Sequence, residues 1–243
     1  MQVIDKAVEV LQLMANDPSK KFWRVTDVSN GLDMNVSTTH RLMQSLRNSG
    51  IIHQDNSTKK YSLGINFIYY GGIVREMNIP GIVIYPLMQR LYDELGETVF
   101  VTIKDRDNCV VLERINSYHQ LRFVKRIGET LKLHEGACGK VILAYLPVSI
   151  LDRTIERIVE GEEHYDIEKL KKTISEVREK GYLVEEVPKM DSTTFSAPVF
   201  SVEGNYVASL SVVIPKCRLT ESKTSETIRV LKEIVAGFMV DTV

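Results

Sequence analysis

Thr26-Asp-Val-Ser-Asn-Gly-Leu-Asp-Met-Asn-Val-Ser-Thr-Thr-His-Arg-Leu-Met-Gln-Ser-Leu46 reads as helix, tight turn and second helix, and that reading decides the fold. Thr26 fits as N-cap of the first helix, and Gly31 ends it as a C-terminal glycine does. The second helix spans Val36 to Ser49 and is closed by Gly50. Val36, Thr39, Leu42, Met43 and Leu46 recur at helical spacing and are expected inward. Ser37, Thr38, His40, Arg41, Gln44 and Ser45 then face out. They are short or forked donors and acceptors, of the types that read base edges and grip phosphates. Duplex DNA is the partner this face implies.

Working outward, Ile51-Ile-His-Gln and Lys59-Lys-Tyr-Ser-Leu alternate as short strands around the polar tip Asp55-Asn-Ser-Thr, and a hairpin after such a helix pair is a wing. Lys59 and Lys60 are placed to meet phosphate, or else form a solvated strand edge. On the N-terminal side, Val3 to Ala15 forms a helix with Ile4, Ala7, Val8, Leu11 and Met14 on one face, broken by Asn16-Asp-Pro-Ser. Residues 36–63 hold four basic side chains to one acidic, although the whole chain is close to neutral, at a net charge of −1. The local excess falls on the expected DNA-contacting segment.

Ile65 to Met77 continues as a helix carrying Ile65, Ile68, Tyr69, Ile73 and Met77 on one stripe, which must be buried against a second subunit or against the chain's own C-terminal half. Asn78-Ile-Pro-Gly marks a joint, and Ile82 to Leu95 is a further amphipathic helix ending at Gly96. From Thr98 the texture turns β-rich, with strands expected at Thr98–Lys104, Cys109–Ile115, Leu121–Lys125, Ala197–Ser201 and Tyr206–Ile214. Helices are expected at Gly139–Leu146, Ser149–Val159 and Asp166–Lys180, and a final one, capped by Thr220-Glu221, bears Ile228, Leu231, Ile234 and Phe238. Strands and helices interleaved around one sheet make this half α+β. A length of 243 residues accommodates two domains, expected as 1–63 for DNA binding, 64–78 as a linker helix and 79–243 as the C-terminal domain.

Three cysteines, Cys109, Cys138 and Cys217, are odd in number and widely spaced, which fits neither a disulfide framework nor a zinc site and points to a reducing cytoplasm. The opening Met1-Gln-Val-Ile-Asp-Lys lacks the apolar core of a signal peptide, and no run reaches membrane-spanning length. No cofactor or metal is expected, since His134 and His164 lack convergent partners. Cys138 beside Gly139-Lys140 invites a nucleophile reading, because helix N-termini lower thiol pKa values. With no histidine base in a neighbouring motif, a buried structural cysteine is the weightier reading. Glu185 and Glu186, adjacent on a strand, point to opposite faces and cannot flank one bond.

A set of motifs in one order carries a resemblance over nearly the whole chain. In the first half they are Ser37-Thr-Thr-His-Arg-Leu-Met-Gln-Ser-Leu, Tyr61-Ser-Leu-Gly, Gly96-Glu-Thr-Val and Val111-Leu-Glu-Arg-Ile. Leu133-His-Glu-Gly-Ala-Cys-Gly-Lys-Val-Ile-Leu-Ala-Tyr-Leu-Pro, Lys180-Gly-Tyr, Ala197-Pro-Val-Phe and Leu210-Ser-Val follow. The chain resembles the IclR family of transcription regulators, which implies a winged helix, a linker helix and a GAF-like domain with an antiparallel sheet flanked by helices. The resemblance further implies a small-molecule effector over Gly136 and Ala137, reached also by Glu185, where the family often has Asp, by Thr194, where it often has Cys, and by Ser211. Val213 replaces a second serine. Leu121 and Phe123, on an expected strand, are candidates for the apolar wall.

The leading expectation is a non-enzymatic regulator that binds a near-palindromic operator as a dimer or dimer of dimers, with Ser37, Thr38, Thr39, His40, Arg41, Gln44, Lys59 and Lys60 at the DNA. The alternative is a DNA-binding module fused to a cysteine-based redox sensor or small enzyme domain, using Cys138 or Cys109.

Overall fold

The structure is a computed structural model describing residues 3–17, 19–77, 79–160 and 165–237. Asn78, His164 and Phe238 therefore lie outside the described residues. The chain divides into two compact units, Met1–Met77 and Asn78–Val243, each with its own core.

In the first unit, helices α1 (Val3–Asn16), α2 (Val25–Gly31) and α3 (Val36–Asn48) precede an antiparallel hairpin of β1 (Ile52–Gln54) and β2 (Tyr61–Leu63); α4 (Asn66–Met77) follows. Val10, Met14, Trp23, Val28, Met43, Ile52 and Tyr61 form the core. Trp23 also bridges to Tyr61, each N–H donating to the other's carbonyl at 2.8 Å, so the segment before α2 extends the wing. Gly50 takes φ +72°, a left-handed turn open to glycine, and so ends α3 where the wing begins.

Several local expectations are corrected. The inward face of α1 runs through Val10 and Met14, with Ile4 (72% exposed) and Val8 (45%) left in solvent. Apolar residues occupy so many positions of α1 that two stripes fit the same period. Val36 is 51% exposed because side chains lean toward a helix N-terminus, so the first helical residue projects past the end rather than onto the core. Thr26 lies inside α2, whose N-cap is Arg24; the Arg24 N–H donates to Asp27 Oδ2 at 2.9 Å.

The second unit runs α5 (Ile79–Leu95), β3 (Thr98–Asp105), β4 (Asn108–Ile115), β5 (Thr130–Lys132), α6 (Gly136–Ala144), α7 (Val148–Ile158) and α8 (Ile167–Lys180). It is completed by β6 (Leu183–Val187), β7 (Ser192–Phe200), β8 (Tyr206–Pro215) and α9 (Glu221–Ala236), the last capped by the Thr220 hydroxyl. The strands make one antiparallel sheet in the order β5-β4-β3-β8-β7-β6. Alternation splits each strand between two cores. One face presents Val99, Val101, Phe195, Leu210 and Val212 to Leu87, Leu91 and Leu231 of α5 and α9. The other presents Phe100, Cys109, Val111 and Val213 to α6 and α8. Buried hydroxyls share that second face, since Ser196 and Phe100 both register with Ser211, and Thr194 with Val213.

Residues 121–125 form no strand. Their carbonyls are met by side chains instead of a ladder: Thr98 Oγ1 donates to Phe123 O at 2.9 Å, Arg218 Nη1 to Leu121 O at 2.9 Å, and Arg114 to Lys125 O. The alternating Leu-Arg-Phe-Val-Lys pattern carries no sign of these donors, which come from β3, β4 and the segment after β8.

Candidate effector cavity and DNA-contacting helix

The polar face of α3 is built by its cap and its core. Asn35 Oδ1 accepts from the Ser37 N–H at 2.9 Å, fixing the helix start, while Leu42 and Met43 bury the opposite side. Thr38, His40, Arg41, Gln44 and Ser45 are exposed along the outer surface. Ser37 is exposed too, but its hydroxyl donates to Asn35 Oδ1 at 2.7 Å and belongs to the cap. Thr39 is fully buried, with Oγ1 donating to Asn35 O at 3.0 Å, so its side chain is unavailable to DNA, as its place in the apolar stripe required.

A groove beside this face is lined by Thr38, Arg41 and Ser45 together with Val3 and Lys6 of α1, which adds a cation that no local motif around α3 could reveal. In the wing, Lys60 is half-buried. Lys59 sits in the turn at φ +57° rather than on a strand. That turn is held by Asp55, whose carboxylate accepts from the Ser57 and Thr58 hydroxyls and the Thr58 N–H; these bonds hold its pKa well below the usual carboxylate range.

In the second unit a cavity of about 260 Å³ opens between the sheet and the start of α6. Gly136 and Ala137 line it from the first turn of α6, where N–H groups have no partner within the helix. Glu135 is the N-cap but makes no side-chain capping bond; its carboxylate meets Lys132 Nζ at 3.2 Å. Gly139 positions this turn, because a Cβ there would lie 2.4 Å from the Leu133 carbonyl oxygen. Phe100, Phe123 and Val213 supply an apolar wall, Thr194 and Ser192 hydroxyls, and Lys125 a cation paired with Glu129 at 2.9 Å. Ser192 Oγ is buried with no hydrogen-bond partner among the described residues.

Of the sequence-predicted effector residues, Gly136, Ala137, Thr194 and Phe123 come together at this cavity. Leu121 does not: it is 64% exposed, because the expected strand is a loop held by its backbone. Glu185 pairs with Lys140 beside the cavity rather than lining it. Ser211 lies on the same sheet face but away from the lining, fully buried against Ser196, with hydroxyl oxygens 2.8 Å apart. Phe100, Ser192 and Cys138 were not among the expected lining residues, while Val213, noted as replacing a serine, does line it. Phe100 becomes visible only with strand register, which is a long-range property.

Among the described residues no cluster of His, Cys, Asp and Glu could hold a metal, and no helix is long and apolar enough to cross a membrane. His134 is buried, with its ring edge-on to Tyr165 at 4.9 Å.

A winged helix-turn-helix joined to an α+β unit with a mixed apolar and polar cavity defines a ligand-responsive DNA-binding regulator. Residues 72–237 match the bacterial transcriptional regulator IclR C-terminal family, and residues 3–56 match the IclR helix-turn-helix domain. The chain belongs to the IclR family of transcriptional regulators. It is 28% identical to the transcriptional regulator KdgR of Escherichia coli K12, over 85% of this chain and 81% of that protein. It is 27% identical to the repressor AllR of Salmonella paratyphi A, over 91% and 83%. The IclR structure from Thermotoga maritima matches with a TM-score of 0.73 at 26% identity, covering 96% and 95% of the two chains. An IclR homologue from Microbacterium hydrocarbonoxydans complexed with 4-hydroxybenzoate shares the fold, with a TM-score of 0.77 at 20% identity over 97% of each chain.

Proposed function

We propose that this regulator binds a near-palindromic operator as a dimer or dimer of dimers, and that a small carboxylate with an apolar body, seated in the cavity, controls that binding. The cavity's composition carries the effector class. Leading N–H groups at Gly136 and Ala137 favour an anion or oxygen acceptor, Phe100 and Phe123 favour a flat apolar body, and Ser192 and Thr194 offer hydroxyls to its far end. The Lys140 pair neutralises Glu185, which removes the main electrostatic objection to an acid. Support comes also from the aromatic hydroxy acid held by the Microbacterium relative.

At the DNA, Arg41 and Gln44, three residues apart on one exposed face of α3, are assigned to base edges, with Thr38 and His40 beside them. Lys59 and Lys60 are assigned to phosphate. One such helix reads too little sequence, and two related by a dyad reach half-sites about 34 Å apart or a multiple of that. Apolar side chains of α4 and of the residue before it favour self-association: Ile65, Ile68 and Met77 are each more than 70% exposed. A cytoplasmic location fits all of this. Selection of duplexes from a random library, followed by light scattering of the complex, tests the reading. A palindromic consensus bound by two or four chains is expected; a monomer on an asymmetric site overturns it.

A further inference from the structure

Lys6 stands on α1, outside the helix-turn-helix motif, yet it shares a groove with Thr38, Arg41 and Ser45 of α3. Its place follows from the packing of α1. Val10, one turn further on, is fully buried in a core that includes Leu42 and Met43. Residues four apart stack on one helix face, so Lys6 stands over Val10 at the edge of that core. It is half-buried, and a lysine so placed lays its stem on apolar surface and holds its ammonium toward water. Among the described residues no carboxylate pairs with it, whereas Lys20 of the same unit is held by Asp27 at 3.1 Å. Asp5 and Glu9, its acidic neighbours on α1, do not line the groove.

The groove marks one flank of α3 and the wing marks the other. Arg47 Nη1 donates to Gln54 Oε1 of β1 at 2.8 Å, and Gln54 Nε2 to the Lys59 carbonyl at 3.1 Å, so Arg47 faces the wing. At about 3.6 residues per turn, Thr38 and Ser45 point roughly half a turn away from Arg47, with Arg41 and Gln44 on the crest between. A helix with its side chains is about 10–12 Å across, and the major groove of B-DNA is about 12 Å wide. A helix seated there has a phosphate strand along each flank. The wing lysines serve one strand. Lys6 is the cation on the flank that meets the other, where the Thr38 and Ser45 hydroxyls stand beside it as further donors to phosphate.

We propose that Lys6 of α1 grips the DNA backbone on the strand opposite the wing, so that α3 is held between cations from both sides. The proposal rests on the reading that α3 enters the major groove. A phosphate contact of this kind fixes register and adds affinity without reading sequence.

The test uses the full chain in anisotropy titrations over a range of salt, on the selected operator and on a random duplex. Lys6→Gln removes the charge and keeps a polar side chain. It is expected to weaken binding to both duplexes by about tenfold for each chain bound and to lower the salt slope by about one per chain, while Lys6→Arg stays near wild type. Operators carrying single neutral methylphosphonates then locate the contact. In the wild type each half-site is expected to hold a sensitive phosphate on the strand opposite the one where Lys59→Ala and Lys60→Ala lose sensitivity, and Lys6→Gln no longer responds to it. Unchanged Kd and salt slope in Lys6→Gln overturn the proposal. So does a wild-type scan with no sensitive phosphate on that strand, a result that decides even if the variant fails to fold. Arg41→Ala on the same operator separates the two readings: affinity lost there with Lys6→Gln unaffected leaves α3 on the DNA and removes Lys6 alone.

Discussion

Replacing Arg218 with alanine tests how the cavity wall is held. The Arg218 guanidinium clasps Glu97 in two bonds, at 2.6 and 2.7 Å, and donates a third to Leu121 O at 2.9 Å. The Glu97 side chain is 3% exposed and that of Arg218 is 23% exposed, so the variant strands a buried carboxylate while losing a partly solvated cation. Breaking a buried pair costs about 3–5 kcal/mol, and the solvent at Arg218 lowers the expectation to about 2–4 kcal/mol. For a unit of this size that is a fall in Tm of roughly 5–15 °C.

Urea unfolding followed by far-UV circular dichroism reads the loss. The chain's single tryptophan, Trp23, is buried in the first unit, and its fluorescence reports that unit separately. Because the same guanidinium holds the backbone at Leu121, ligand affinity at neighbouring Phe123 falls as well. Glu97→Gln combined with Arg218→Met is expected to recover most of the stability, since it removes the stranded charge. A loss below about 1 kcal/mol in Arg218→Ala, the range of surface pairs, refutes the reasoning.

Gly139→Ala places a methyl against the Leu133 carbonyl and is expected to cost about 1–3 kcal/mol in urea unfolding, with weakened ligand binding by calorimetry as the first turn of α6 shifts. Arg41→Ala and Gln44→Ala should each cost about 1–3 kcal/mol at the selected operator in anisotropy titrations. Lys59→Ala and Lys60→Ala should instead weaken binding to every sequence and lower the salt slope by about one each.

The order of elements was readable because local chemistry punctuates them: Asp166 and Thr220 cap their helices, and Gly181 closes α8 at φ +76°. The outer face of α3 was readable for a related reason, since one buried stripe settles what faces out. Thr39 shows the discipline this needs, as a residue at an inward position cannot also touch DNA. The cavity was legible only in part. Gly136 and Ala137 came from the family resemblance, in a loop before a helix expected from Gly139, whereas α6 begins at Gly136; the place of Phe100 depends on register across the sheet. Leu121 stands outside the cavity because alternation alone does not reveal that Arg218, Arg114 and Thr98 satisfy the local carbonyls. The pairing of Glu185 with Lys140 was not legible, because the two are far apart in sequence.

The central claim is that a ligand in the cavity governs DNA binding by α3. It is tested by anisotropy titration of the full chain on its selected operator, with and without saturating 4-hydroxybenzoate or whichever small carboxylate calorimetry shows to bind best. Phe123→Ala serves as the cavity control. The account predicts a shift in operator Kd of about 5–150-fold with ligand, lost in Phe123→Ala while ligand-free operator affinity is kept. A carboxylate that binds the cavity of the wild type and leaves operator Kd unchanged contradicts it.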